Sequence, residues 1–132
     1  MFRTVDAKIP HIIRVPISGG CSAGNLIVVS SGTFAVAEDA PTAATVVGIA
    51  QETVDNGAIC SVELVNQRLV AADYVGSSKT SLANADLGKV FDITDDQEVN
   101  LDDTTGGVFL VVGYDNDRKL AYGYFTQASL AI

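Results

Sequence analysis

Tryptophan is absent from the 132-residue chain, histidine occurs once and cysteine twice, and 8 basic residues face 16 carboxylates. Each shortage removes a class of function. With a formal charge of −8 the chain lacks the clustered Lys and Arg that displace counterions from phosphate backbones, so nucleic acid is not an expected partner. The one histidine, His11, sits beside Pro10, and no Ser-His-Asp or Cys-His set can be assembled around it. No G-x-x-x-x-G-K-[ST] or G-x-G-x-x-G opening a helix is present, which leaves nucleotides without a phosphate cradle. The Gly19-Gly20-Cys21-Ser22-Ala23-Gly24 string has no second group to activate its thiol and reads as a glycine-rich hairpin. Cys21 and Cys60 lie 39 positions apart with no CxxC spacing and no nearby His, so both are expected as free thiols. Apolar runs stop at five or six residues, as in Val108–Val112, far below the ~20 that a membrane helix needs. The first residues carry Arg3, Asp6, Lys8 and Pro10 instead of a signal's hydrophobic region, so folding in a cytoplasm is expected. No catalytic residue, cofactor or metal ligand is expected.

What the chain does have is β-branched side chains: 17 Val, 9 Ile and 10 Thr. Their stiff χ1 suits pleated strands. Turn-forming clusters at Ser18-Gly19-Gly20, Ser31-Gly32, Asn56-Gly57, Gly76-Ser77-Ser78, Gly88, Thr105-Gly106-Gly107 and Asp115-Asn116 punctuate the sequence. Between them the pattern predicts strands near 11–17, 25–30, 33–37, 44–50, 57–64, 67–71, 89–93, 97–101, 107–114 and 118–125, with one helical turn or two within 80–87. The fold class is all-β, a compact sandwich or barrel of short antiparallel strands. In 57–64, Cys60, Val62 and Leu64 alternate with Ser61 and Glu63, which makes Cys60 a small core residue. The runs Leu26–Val29 and Val108–Val112 are apolar on both faces and are expected to be central or covered by a neighbouring subunit.

An internal echo organises these strands. Val46-Val47-Gly48 is matched by Val111-Val112-Gly113 at an offset of 65, and Gly24–Ser30 by Gly88–Thr94 at an offset of 64. Two related four-strand units follow, about 24–64 and 88–125, joined by 65–87 and preceded by an extended N-terminal arm. The division is an arm and edge strand over 1–17 and a single β domain over 18–132.

The arm differs from the body in charge: residues 1–20 carry +2, residues 21–132 carry −10. Ile13, Val15 and Ile17 alternate with Ile12 and Arg14 between Pro10 and Pro16, which reads as an edge strand because proline cannot donate to a central ladder. An apolar edge invites pairing with a partner chain. Phe2, Val5 and Ile9, interleaved with Arg3 and Lys8, extend that surface. On 118–125, Leu120, Tyr122 and Tyr124 share a face and read as a core or subunit-contact stripe. The acidic residues Asp92, Asp95, Asp96, Glu98, Asp102 and Asp103 do not follow calcium-loop spacing and read better as solvated turns than as a cation site.

The pattern Ile17-Ser18-Gly19-Gly20-Cys21-Ser22-Ala23-Gly24-Asn25-Leu26-Ile27-Val28-Val29, the run Ala43–Ala50 and the later Val-Val-Gly resemble tailed-bacteriophage capsid decoration (cement) proteins over about residues 11–125. The sequence departs at Cys21, where a plain apolar or small residue is expected, and at Asn25, where Asp is common. The resemblance implies a non-enzymatic virion protein on the outer surface of the expanded capsid, made in the host cytoplasm. It would stabilise contacts between major capsid protein subunits, often as a homotrimer. The residues expected to bind the capsid are Phe2, Arg3, Val5, Lys8, Ile9, His11, Ile13 and Arg14; those expected at oligomer contacts are Leu120, Tyr122 and Tyr124. The alternative is a soluble ligand-binding β-domain, calcium-dependent through the acidic turns.

Overall fold

A computed structural model describes residues 1–6 and 9–128. The chain is all-β. Its strands are β1 (Phe2–Thr4), β2 (Ile12–Ser18), β3 (Leu26–Ser30), β4 (Thr33–Val36), β5 (Val46–Ala50), β6 (Ile59–Leu64), β7 (Val70–Val75), β8 (Val90–Ile93), β9 (Val99–Asn100), β10 (Phe109–Asp115) and β11 (Leu120–Phe125). Single 3-10 turns, Ala43–Thr45 and Asn84–Asp86, precede β5 and β8. Nine of the ten expected strands are present within about two residues, while the one expected at 67–71 lies at Val70–Val75 because Asn66 and Gln67 form a turn. The helical turn expected within 80–87 is the Asn84–Asp86 turn, and β1 is the strand that the sequence pattern did not suggest.

The strands form two five-membered rings with one connectivity. In the first, the order β2-β4-β3-β5-β6 closes by pairing β6 with β2; in the second, β7-β9-β8-β10-β11 closes by pairing β11 with β7. In both rings the first strand runs parallel to the third and antiparallel to the fifth, and all other pairs are antiparallel. The two barrels share one topology, and Gly24–Ser30 matches Gly88–Thr94 in place; the two Val-Val-Gly runs do not match, because Ala50, bonded to Gly24 and Asn25, corresponds to Val111, bonded to Gly88 and Lys89. Each expected four-strand unit gains one strand at its start. Ile12–Ser18, expected within the arm, is the first strand of ring one, and Val70–Val75, expected within the joining segment, is the first strand of ring two.

Proline in β2 is compatible with this closure. Ile17 donates its N–H to Ala58 on the β6 side, so the nitrogen of Pro16 faces the opposite side, where pairing with β4 begins only at Ile17. The missing donor costs no ladder bond there. Where the fourth and fifth strands meet, glycine lets backbones touch: a Cβ on Gly48 would stand 2.2 Å from the Glu63 carbonyl oxygen, and one on Gly123 would stand 1.9 Å from that of Leu110. The middle valine of each Val-Val-Gly is an unpaired extra residue, Val47 opposite β3 and Val112 opposite β11. Such bulges bend the strand and sharpen ring curvature.

Alternation assigns the cores. Ring one is filled by Ile17, Ile27, Ala50, Cys60 and Val62. A larger cluster fills ring two with Phe91, Phe109, Val111, Ala121 and Phe125 and continues onto the outer surface of ring one through Leu26, Val46 and Ile49. Leu26 and Ile27 thus bury opposite faces of one strand because barrel packs on barrel. The cover for this run is the second barrel of the same chain. Polar latches fix the packing. Gln97 accepts the Leu26 N–H at 2.6 Å and donates to the Ala37 carbonyl at 3.0 Å, and Ala40 donates to Ile93 at 2.9 Å.

Residues 1–6 belong to this assembly. β1 pairs antiparallel with β7, its Phe2 N–H donates to Gly24 across the barrel junction, and Thr4 donates to the buried Glu63 carboxylate at 2.8 Å. Asp6 accepts the Leu69 N–H at 2.9 Å and pairs with the buried Arg68 at 3.3 Å.

Candidate binding surface

Each residue proposed from the sequence except Lys8 can be placed. Phe2 is 1% exposed, its ring meeting Phe125 edge-on at 5.5 Å. This corrects its assignment to a partner surface: the largest apolar group of the arm is consumed by the chain's own core. Ile13 is likewise turned into ring one, where it packs on the Ile17 cluster. Val5 is half-buried and donates its N–H to Leu69. Lys8 lies outside the described residues. Arg3, Ile9, His11 and Arg14 are exposed. Arg14 donates to Ser61 Oγ at 2.6 Å and lies 3.7 Å from Glu52.

These exposed residues fall on two faces. On ring one, β2 turns out Ile12, Arg14 and Pro16 opposite Glu63, Ser61 and Ile59 of β6. On ring two, odd-numbered residues of β11 fill the barrel while Leu120, Tyr122 and Tyr124 point outward. The register sets their neighbours: Tyr124 pairs with Leu110, Leu120 lies between Asp73 and Asp115, and Tyr122 stands across Ala71 from Arg3. One arm residue and the three stripe residues therefore share one sheet face. Val112, the extra residue of the bulge, is 44% exposed, and Tyr124 is 38% exposed. A groove of about 480 Å³ adjoins Tyr124, lined also by Asn66, Gln67, Leu110, Phe125 and Thr126. Leu110 and Val112 were missed because a continuous apolar run gives no sign of which alternate residues face outward. Alternation from the buried Phe109 supplies it.

In the turn at Asp102 and Asp103 the carboxylates are occupied by nearby backbone. Asp102 accepts the N–H groups of Ser77, Ser78 and Lys79 and the Ser77 hydroxyl, and these bonds hold its carboxyl down at about 2. Asp103 accepts the Thr105 N–H. Asp92 is buried, which raises its pKa, and it accepts the Ile93 N–H. Elsewhere, buried Asp86 is held at about 2 by the Lys79 ammonium 2.8 Å away and then by Lys89 at 3.0 Å. Among the described residues no group of three or more His, Cys, Asp or Glu is placed to hold a metal, and no helix is long and apolar enough to cross a membrane. No protein-family model matches the chain, and no curated protein is similar to it.

Proposed function

We propose that the chain is a non-enzymatic capsid decoration protein. It would bind the outer surface of an expanded phage head, stabilise contacts between major capsid protein subunits, and associate with itself as a homotrimer. The observation that carries this reading is the rigid outer face of ring two, where Arg3, Leu110, Val112, Leu120, Tyr122 and Tyr124 are displayed from paired strands. Tyrosine and arginine are enriched among the residues that dominate protein–protein contact energy, tyrosine because it brings large area with a polar tip and little rotamer freedom to lose, arginine because its planar guanidinium stacks and makes several hydrogen bonds. A second face carries Ile12, Arg14 and Ile59 on ring one. A molecule with two such faces bridges neighbours, and repetition over a lattice converts weak single contacts into avidity. The resemblance of the strand and turn motifs to decoration proteins points the same way.

The test is sedimentation of the purified full chain with expanded, undecorated heads and with unexpanded proheads. Pelleting with expanded heads alone is expected, reduced at least tenfold by the pair Tyr122→Ser and Tyr124→Ser, while the free protein sediments as a trimer. Equal failure to pellet with both particles overturns the reading.

A further inference from the structure

Cys21 and Cys60, remote in sequence, are brought to an Sγ–Sγ distance of 3.6 Å. Both thiols also point at one acceptor, the Glu52 carbonyl, at 3.5 and 3.6 Å. Their backbones are pinned by different partners. Cys21 exchanges both of its bridge hydrogen bonds with Val54, each 3.0 Å, and Cys60 pairs with Val15 in the β2–β6 ladder. Cys60 is fully buried, whereas Cys21 is half-buried and follows Gly19 and Gly20, both with left-handed φ. We infer that this pair is a latent intramolecular disulfide site, which closes when the chain meets a low-molecular-weight disulfide and staples the β2–β3 connection to β6.

The chemistry assigns an order. The Cys21 thiolate, the accessible one, attacks a sulfur of the small disulfide RS–SR and forms a mixed disulfide while RS⁻ leaves and takes up a proton. The Cys60 thiolate then attacks Cys21 Sγ, the Cys21–Cys60 bond forms, and the second RS⁻ leaves and is protonated. The protein loses two electrons and two protons, and RS–SR becomes two RSH. Closing the last gap to a bond of about 2.0 Å asks for rotation of the Cys21 side chain and a small shift of its loop. Burial, then the Cys60 thiol and the Glu52 carboxylate, push Cys21 up to about 11, so Cys21 rests as the thiol at neutral pH and exchange is slow. A reducing cytoplasm keeps the site open and an oxidising exterior closes it. The loop spans β3, β4 and β5, so the bond constrains most of ring one in the unfolded chain. The inference stands on the sulfur geometry and is independent of the capsid reading.

The full chain is incubated with oxidised glutathione and, separately, with reduced glutathione. The oxidised sample is expected to show no titratable thiol in denaturant, a mass lower by two hydrogens, a Cys21–Cys60 peptide on non-reducing digestion, and a Tm raised by roughly 10 °C. Cys21→Ser abolishes all four changes. Three results each overturn the inference: a stable glutathione adduct on Cys21, disulfide-linked dimers in place of the internal bond, or two thiols surviving prolonged oxidation. A lower Tm in the bridged form refutes the stapling role.

Discussion

Replacing Phe2 by Ala tests whether the N-terminal segment is a free arm or part of the fold. The ring is 1% exposed, stands 5.5 Å from Phe125, and through it joins Phe109 at 5.2 Å in the centre of ring two. Burying a phenylalanine is worth about 1.5–3 kcal/mol in transfer energy. Two edge-on ring contacts run in series here, and the one removed adds about 0.5–1.5 kcal/mol. The hole left between β1 and β11 cannot collapse easily, because β1 is anchored on both sides of it by the Gly24 and Glu63 hydrogen bonds. The expected loss is about 3–5 kcal/mol. In urea unfolding this appears as a lower midpoint with unchanged slope, and in a thermal scan as a fall of roughly 10–20 °C. Arg3→Ala, one residue along on the exposed side of the same strand, serves as the control and should fall within about 0.5 kcal/mol of the parent. A loss below about 1 kcal/mol for Phe2→Ala would refute the docked strand and restore a free arm.

Three further outcomes follow from the same geometry. Asp86 is held near 2 by Lys79 and Lys89, below its ordinary 3.8; its contribution is complete above the unfolded value and is lost as pH falls through 2, so Asp86→Asn should cost about 2 kcal/mol at pH 7 and less than about 0.5 kcal/mol at pH 2 in denaturant titrations. Asp92 is shifted upward, chiefly by burial, so its charge opposes folding as pH rises past its ordinary value, and Asp92→Asn should gain stability at pH 7 that vanishes at pH 3. Gly123→Ala forces a Cβ to within 1.9 Å of the Leu110 carbonyl oxygen and should abolish folding or lower Tm by more than 10 °C, whereas Gly113→Ala meets nothing closer than 3.7 Å and should change Tm by only a few degrees. Equal effects of the two glycine variants would contradict the strand spacing.

Strand positions were legible because alternation and turn residues are local signals, and β3, β4, β8 and β10 appear within two residues of expectation. The repeat was legible too, through the Gly24 and Gly88 segments, whereas the Val-Val-Gly echo falls out of register because Ala50 corresponds to Val111. The first strand of the repeat was not legible. β2 carries Pro16, which argues for an edge, and the proline's missing donor faces a side that β4 covers only from Ile17 onward. β7 reads Val-Ala-Ala-Asp-Tyr-Val, whose two small residues weaken any alternation, although Ala71 and Ala72 are both buried. The arm misled for a different reason. Phe2, Val5 and Ile9 look alike in sequence, yet Phe2 lies in the core and Ile9 is 81% exposed, because only the first three strand residues find a free edge on β7. The proximity of Cys21 to Cys60 depends on ring closure, and no spacing in the chain encodes it.

Duplication makes the two barrels comparable residue by residue, and their differences point to where a partner would add contacts. Ile49 of β5 and Leu110 of β10 pair with the matching residues Leu26 and Val90, but Ile49 is buried and Leu110 is half-buried. Leu26 of ring one is fully buried under the second barrel, whereas the corresponding Val90 of ring two is only half-buried. Ring one therefore has its outer β3–β5 surface sealed by its sibling, while ring two keeps the matching surface open, with Leu110 and the tyrosine stripe beside it. Evenly apolar strands that lack a cover are usually found where another polypeptide supplies one. The unequal exposure of equivalent residues is thus a reason, separate from any motif, for placing the contact face of the proposed decoration protein on ring two.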